Sequence, residues 1–213
     1  MPRVHFQRVN TSQSSDYRAA LAEYIRAQAR PLDKFSHQPR LYHLTRELGA
    51  GLEYDDEIVY AAAWLHDLGV FVGHRPEDPV ALAQWDCVGY AMREAPGVLE
   101  RLGFPTHKIP AVVEVIRTHQ PAANPATLEG GLVRDADILE QLGAIAILRT
   151  VSKVGRDTRF ATFSDALAAL QKSADTLFAQ LRLPSAQELA QPRLRLLQGF
   201  LAAAQAEAEG QPL

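Results

Sequence analysis

A chain of 213 residues, 47% of them hydrophobic, is long enough to bury a substantial core as one domain, and this composition excludes global disorder. The formal net charge is −3 and the basic residues are scattered, which argues against an obligate nucleic-acid binder but leaves a nucleotide substrate open. The single cysteine excludes an internal disulfide, and the lack of an apolar signal or of a membrane-spanning segment of ~20 residues predicts a cytoplasmic protein.

Helical periodicity dominates the chain and predicts an all-α fold. Residues 1–15 are predicted to be irregular, and Asp16 is predicted to cap the first helix. We assign residues 1–31 to an N-terminal extension with one helix that packs on the domain. Residues 32–209 are predicted to form a single compact helical domain.

The second predicted helix begins after the N-cap Ser36 and ends near residues 49–51. Its apolar face consists of three leucines at helical spacing, and a histidine shares that face. We therefore expect this histidine to point into the core with the leucines. The four residues are His37, Leu41, Leu44 and Leu48.

The third predicted helix is capped by Asp55 or Asp56 and carries an unusually apolar run over residues 58–65. Gly69 is predicted to end it. A helix that is apolar on nearly every side is expected inside the protein.

The apolar run is followed directly by His66 and Asp67. An imidazole and a carboxylate that are buried without partners would together cost several kcal/mol. The sequence therefore predicts a compensating partner for this pair, and a divalent cation is the most direct one.

Five further helices are predicted downstream, after a loop at residues 73–79 that is rich in turn formers and charge. Their predicted bounds are about 80–94, 109–118, 164–181 and 185–208, together with one long helix after residue 131 that reaches Leu148.

The long helix carries two aspartates, either of which could lie beside the buried histidines. Asp135 and Asp137 lie about 200° apart around an α-helix, so only one of them can point at a common site. We assign Asp137 to the site, and we expect Asp135 to act as a cap or to pair with Arg134 or Arg149.

Three segments of the chain begin at His37, Trp64 and Arg134. In this order they resemble the HD superfamily of metal-dependent phosphohydrolases, whose pattern is a histidine, a His-Asp doublet and a distant aspartate. The likeness covers roughly residues 32–207, and its last part is similar to a subgroup of bacterial stand-alone HD proteins. The segments are His37-Gln38-Pro39-Arg40-Leu41, Trp64-Leu65-His66-Asp67-Leu68-Gly69 and Arg134-Asp135-Ala136-Asp137-Ile138-Leu139.

The resemblance implies that His37, His66, Asp67 and Asp137 bind one divalent metal ion between core helices. Mixed imidazole and carboxylate ligands suit Mn, Fe, Co, Ni or Zn, and are less natural for Mg. The implied activity is metal-dependent hydrolysis of a phosphate ester in a small phosphorylated metabolite, above all a nucleotide, by a metal-activated water.

The catalytic residues that we expect besides the metal ligands are few. Asp67 is placed to orient the attacking water or to take its proton. His119 is expected to bind a second ion, to protonate the leaving group or to contact phosphate, with a surface helix cap as the alternative. Relatives that hydrolyse nucleotides often carry an acid where Val70 stands here, so Glu77 or Asp78 would have to substitute for it, and we select Glu77. The predicted substrate-binding residues are His74, Arg75 and Arg149.

Two departures from the family pattern favour one metal over two. Many members carry a His-Asp dipeptide where this chain has Asp33 and Lys34, and dinuclear relatives carry a further histidine where Trp85 stands.

These departures keep a second class of function open, a non-catalytic sensor that binds metal and nucleotide. Within the enzyme class, the alternative is a phosphodiesterase or pyrophosphohydrolase that acts on a cyclic nucleotide or an alarmone. An apolar outer face of the C-terminal helices is consistent either with a homodimer or with packing inside one chain.

Overall fold

The computed structural model of the protein describes residues 13–157 and 159–211. The all-α prediction is confirmed, since these residues form ten α-helices and their only β-structure is an isolated bridge between Val72 and Arg75. The helices are α1 (Gln13–Gln28), α2 (His37–Leu48), α3 (Asp56–Leu65), α4 (Pro79–Ala83), α5 (Cys87–Arg101), α6 (Ile109–Arg117), α7 (Leu128–Glu140), α8 (Gly143–Val151), α9 (Phe163–Thr176) and α10 (Pro184–Ala208).

The start of the first helix differs from the prediction. The sequence predicted an irregular segment at residues 1–15. Residues 1–12 of that segment lie outside the described residues, and α1 begins at Gln13. Asp16 therefore lies inside the helix, and its predicted role as N-cap is wrong.

The buried face of α1 joins the main hydrophobic core. Tyr17, Leu21 and Ile25 are almost fully buried and belong to the same cluster as the apolar residues of α3. The helix thus packs on the rest of the fold, and the division of the chain after residue 31 stays a prediction.

The bounds and the buried face of α2 agree with the prediction. The helix ends at Leu48, and the leucine face of residues 41, 44 and 48 is buried together with His37. The first turn of α2 therefore delivers an imidazole to the interior.

The central helix α3 begins as the sequence predicts. Of the two aspartates that could cap it, Asp55 does so, because its carboxylate accepts a hydrogen bond from the backbone N–H of Glu57 at 3.1 Å. Every residue from 59 to 65 is buried. The helix contacts α1, α2, α6 and α7, which explains why it needs no polar face.

The end of α3 lies earlier than predicted, at Leu65 instead of Gly69. The chain then turns sharply through a short 3₁₀ segment at residues 68–70. A Cβ atom at Gly69 would come within 2.4 Å of the carbonyl oxygen of Cys87, so only glycine allows this turn to pack against α5. The turn holds the His-Asp pair at the end of the helix.

Three of the helices predicted downstream are interrupted. The long helix after residue 131 ends at Glu140, and a new helix begins at Gly143, which has a φ of +79° and lies against Arg193. A positive φ cannot continue a right-handed helix, so the break is imposed at this residue. The other two predicted helices, at 80–94 and 164–181, correspond to α4 plus α5 and to α9 plus a 3₁₀ turn.

The helices predicted at 109–118 and 185–208 match α6 and α10 to within one residue at each end. Within the part of the chain that the structure describes, no helix combines the length and the apolar character needed to cross a membrane.

Candidate functional site

The four predicted metal ligands come from three elements and meet below the surface. His37 lies in the first turn of α2, His66 and Asp67 follow the end of α3, and Asp137 lies near the end of α7. Nε2 of His37 is 3.2 Å from Nε2 of His66, 3.4 Å from Oδ1 of Asp137 and 3.7 Å from Oδ2 of Asp67. Nε2 of His66 is also 3.7 Å from Oδ2 of Asp67. We call these four residues the His/Asp cluster.

The hydrogen bonds at the outer nitrogens orient both rings. Nδ1 of His66 lies 3.1 Å from the carbonyl oxygen of Ala63, and Nδ1 of His37 lies 3.2 Å from Oε2 of Glu140. The carbonyl oxygen is an acceptor, so Nδ1 of His66 carries the hydrogen and its Nε2 turns a lone pair toward the centre of the cluster. Nη1 of Arg149, which can only donate, also lies 3.1 Å from Nδ1 of His37 and forms an ion pair with the same Glu140 carboxylate. We assign the hydrogen to Nδ1 of His37 from its contact with that carboxylate, which leaves the lone pair of Nε2 facing the cluster.

Two lone pairs that face each other at 3.2 Å repel unless a positive charge lies between them. Burial alone would lower the pKa of His37, but the carboxylates of Asp137 and Glu140 outweigh it and raise this pKa. A proton on Nε2 of His37 is thus favoured when no metal is bound. A divalent cation suits the same position between the two Nε2 atoms, since nitrogen and oxygen donors converge there.

The other members of the cluster favour the protonation states of metal ligands. Burial lowers the pKa of His66 to about 4, which keeps its ring neutral. Burial would raise the pKa values of Asp67 and Asp137, but the neighbouring histidines lower both instead. Both carboxylates are therefore ionised at neutral pH.

Glu140 is a site residue that the sequence analysis missed. It is 2% exposed, and besides His37 it accepts hydrogen bonds from Arg40 at 2.8 Å and Arg149 at 3.2 Å. Burial opposes its ionisation, but His37 and Arg40 lower its pKa to about 2. Its spacing was the available clue, because it lies three residues after Asp137 and so near it on the helix surface.

His119 lies beside the cluster at the end of α6. It is 5% exposed, its Nδ1 donates to the carbonyl oxygen of Ile116 at 2.6 Å, and its ring centroid is 4.9 Å from that of His66. It is therefore a buried neighbour of the cluster and not a surface helix cap. Its predicted catalytic role stays a prediction.

A cleft opens directly onto the cluster. It is lined by His37 and Asp67, together with the predicted substrate-binding residues Arg75 and Arg149. Asp67 is the most exposed member of the His/Asp cluster, with 25% of its side chain accessible, so it faces the cleft.

Two predicted site residues lie apart from this cleft. His74 has both ring nitrogens engaged, with Tyr90 Oη and Gln28 Oε1 each at 2.8 Å, which is typical of a structural histidine. Glu77 is exposed and is not among the described residues that line the cavities around Asp67. Their predicted roles in substrate binding and catalysis gain no geometric support.

Trp85 stands where dinuclear relatives were expected to carry a histidine. Its indole N–H donates to the carbonyl oxygen of Gly69 at 2.8 Å, so the side chain holds the turn after the His-Asp pair.

A family model described as "HD domain" matches residues 35–142, which include all four members of the His/Asp cluster. A search of curated protein sequences finds no match.

Several solved structures share the fold. The structure of Bacillus subtilis YpgQ in complex with ADP is 21% identical, with a TM-score of 0.68 over 93% of this chain and 96% of that chain. The Lin1889 protein from Listeria innocua is 21% identical, with a TM-score of 0.67 over 95% and 99% of the two chains. An HD-superfamily hydrolase from Bacillus thuringiensis is also 21% identical, with a TM-score of 0.67 over 93% and 100%.

Proposed function

Because this chain belongs to the HD domain family, as its sequence motifs predicted, we propose that it is a metal-dependent phosphohydrolase. Its substrate in this proposal is a small phosphorylated molecule, above all a nucleotide, from which a water molecule releases phosphate. The His/Asp cluster binds one divalent ion, and the adjoining cleft binds the phosphate ester.

One observation carries the proposal. Two imidazole nitrogens on separate elements face each other at 3.2 Å, and two ionised carboxylates lie within 3.7 Å of one of them. Such a set of nitrogen and oxygen donors suits Mn, Fe, Co, Ni or Zn better than Mg. When bound, an ion of this kind acidifies a water molecule and offsets the charge that develops on the phosphoryl oxygens.

The residues of the chain supply the remaining functions. Asp67 presents a partly exposed carboxylate to the cleft, where it orients the attacking water and accepts its proton. Arg75 and Arg149 line the same cleft and are placed to bind phosphoryl oxygens through their guanidinium N–H groups. His119 lies beside the cluster with its Nδ1 donating to Ile116, and in its doubly protonated form it gives the proton on Nε2 to the leaving group.

A nucleotide is the favoured substrate class for two reasons. One of the cavities at Asp67, which Arg75 and Arg149 also line, has a volume of about 410 Å³, within the usual range of roughly 300–1,000 Å³ for small-molecule sites. The structurally similar YpgQ was crystallised in complex with ADP.

The test combines metal analysis with a hydrolysis assay. Protein purified without added ions is analysed for bound metal, and phosphate release is then measured over a panel of nucleotides. Wild type should retain a divalent metal and release phosphate, whereas Asp67→Ala should lose both properties and the increase in melting temperature that bound metal gives. Asp175→Ala, which removes an exposed carboxylate on α9, is the matched control and should behave as wild type.

Two results would contradict the proposal. Full activity in Asp67→Ala would mean that another residue carries the chemistry. A wild-type protein that retains metal and binds nucleotides, but turns none of them over, would instead be a sensor.

A further inference from the structure

Two lysines that the sequence analysis did not select lie on the wall of the cleft. Lys34 precedes α2 and Lys153 follows α8, and both are half-buried. The chain contains only four lysines, so half of them line this one cleft. Among the described residues, neither ammonium group has a hydrogen bond or an ion pair; Nζ of Lys153 lies 5.4 Å from the ring centroid of Phe160.

The two ammonium groups interact unfavourably with their surroundings. Burial, followed by the charges of Lys34, Arg159 and Arg149, lowers the pKa of Lys153 to about 8. Burial also lowers the pKa of Lys34, and Asp67 offsets this only in part. Each lysine therefore lacks the counter-charge that would stabilise its protonated form.

The acidic groups of the cleft supply only part of that counter-charge. Both carboxylate oxygens of Asp157 accept hydrogen bonds from Arg159, at 3.1 and 2.8 Å. Asp67 belongs to the His/Asp cluster, where it is assigned to a metal ion. With Asp157 paired to Arg159 and Asp67 assigned to the metal ion, the two lysines and Arg75 leave an excess of positive charge on the wall of the cleft.

This excess lies next to the reaction centre. Three adjoining cavities all share Asp67, Arg149 and Lys153 in their linings. Lys34 lines two of the three cavities. A ligand with one group at Asp67 therefore has a second position within the same cleft, against the two lysines.

We propose that Lys34 and Lys153 form a second anion subsite, which binds a phosphate group of the substrate other than the group presented to the His/Asp cluster. This inference rests on the proposed function and narrows its substrate class. The substrate then carries at least two phosphate groups, joined directly in a phosphoanhydride or attached at separate positions of one molecule.

The first experiment tests the subsite without turnover. Metal-free wild-type protein is treated with an amine-acylating reagent, with and without inorganic pyrophosphate, and the extent of acylation at each of the four lysines is measured by mass spectrometry. At pyrophosphate concentrations about ten times the Kd, acylation of Lys34 and Lys153 should slow about tenfold. Lys172, which is exposed on α9, is the internal control and should react at the same rate throughout. No protection at millimolar pyrophosphate, or equal protection of Lys172, would overturn the subsite.

The second experiment compares substrates in the metal-loaded enzyme. For wild type and the variants Lys34→Gln, Lys153→Gln and Lys172→Gln, kcat/KM is measured with a nucleoside monophosphate, a nucleoside diphosphate and a nucleoside 3′,5′-bisphosphate. The ratio of kcat/KM for a two-phosphate substrate to that for the monophosphate should fall at least about tenfold in the first two variants. The diphosphate and the bisphosphate distinguish joined from separate phosphates, and a ratio that stays constant for both would contradict the inference.

The two proposals fail in different ways. Pyrophosphate protection of the two lysines in a protein that hydrolyses no nucleotide would support the subsite and contradict the proposed function. Hydrolysis of a monophosphate without protection of either lysine would do the opposite.

Discussion

Two aspartates on α7, only two residues apart, occupy contrasting environments. Asp135 is fully buried, and all of its partners are protein donors. Its Oδ1 accepts a hydrogen bond from Nη1 of Arg134 at 2.7 Å, and its Oδ2 accepts from the backbone N–H groups of Arg182 and Leu183, each at 2.8 Å. It joins α7 to the segment that leads into α10.

Asp137 lies on the other side of the helix, with 15% of its side chain exposed. Its Oδ1 faces Nε2 of His37 at 3.4 Å, and its Oδ2 accepts a hydrogen bond from Gln141 at 3.1 Å. Burial of a carboxylate is therefore not by itself a sign of function. Asp137 differs because its partner is an imidazole nitrogen, which can coordinate a cation.

The largest expected effect is on stability, and it separates the two aspartates. Asp135→Asn leaves Arg134 buried without its counter-charge and should lower the free energy of unfolding by about 3–5 kcal/mol. Asp137→Asn should change it by less than about 1 kcal/mol in metal-free protein, because His37 can release its proton. Urea unfolding in the presence of a chelator measures both values.

Metal affinity should show the reverse order of the two aspartates. Asp137→Asn should weaken metal binding by more than about 100-fold, whereas Asp135→Asn should bind metal as wild type wherever it is folded. If both variants lost stability equally and bound metal equally, the two aspartates would not have separate roles.

The sequence could predict which of the two aspartates faces the site, because their relative orientation is fixed within one helix. A helical rotation of about 200° between Asp135 and Asp137 forces them to opposite sides, and Arg134 was one of two partners that the sequence left open. The HD resemblance then indicated which side faces the histidines.

Residues whose role depends on tertiary packing could not be predicted in this way. Glu140 gains its role because Arg40 and Arg149 reach it from two other helices. Lys34 and Lys153 are distant in sequence and line one cleft only after the chain folds. For the same reason, the sequence did not predict the helix break before Gly143. Gly143 adopts its positive φ where it packs against Arg193 of α10.

The next largest effect concerns Glu140, the carboxylate that orients His37. Glu140→Gln keeps the shape but removes the charge that holds Nδ1–H of His37, and it should weaken metal affinity by about 10–100-fold. Metal titration against a competing chelator measures this change. Glu47→Gln, an exposed glutamate on α2, is the matched control and should bind as wild type; an equal loss in the control would remove Glu140 from the site.

The smallest effect is the pH dependence of metal affinity, and it follows from the proton that the cation replaces. Burial opposes protonation of His37, but Asp137 and Glu140 outweigh it and raise its pKa above the ordinary value of about 6.5. Metal-free protein therefore gains stability from this proton below pH ~6.5 and loses that gain as the pH rises through the raised pKa.

Metal binding must show the opposite trend, because it requires Nε2 of His37 to be unprotonated. Apparent affinity should rise about tenfold per pH unit up to the pKa of His37 and then level off, which chelator competition at a series of pH values measures. In Asp137→Asn the levelling should occur at lower pH, since the carboxylate that raises this pKa has been neutralised. An affinity that does not change with pH would mean that no proton occupies the position assigned to the metal.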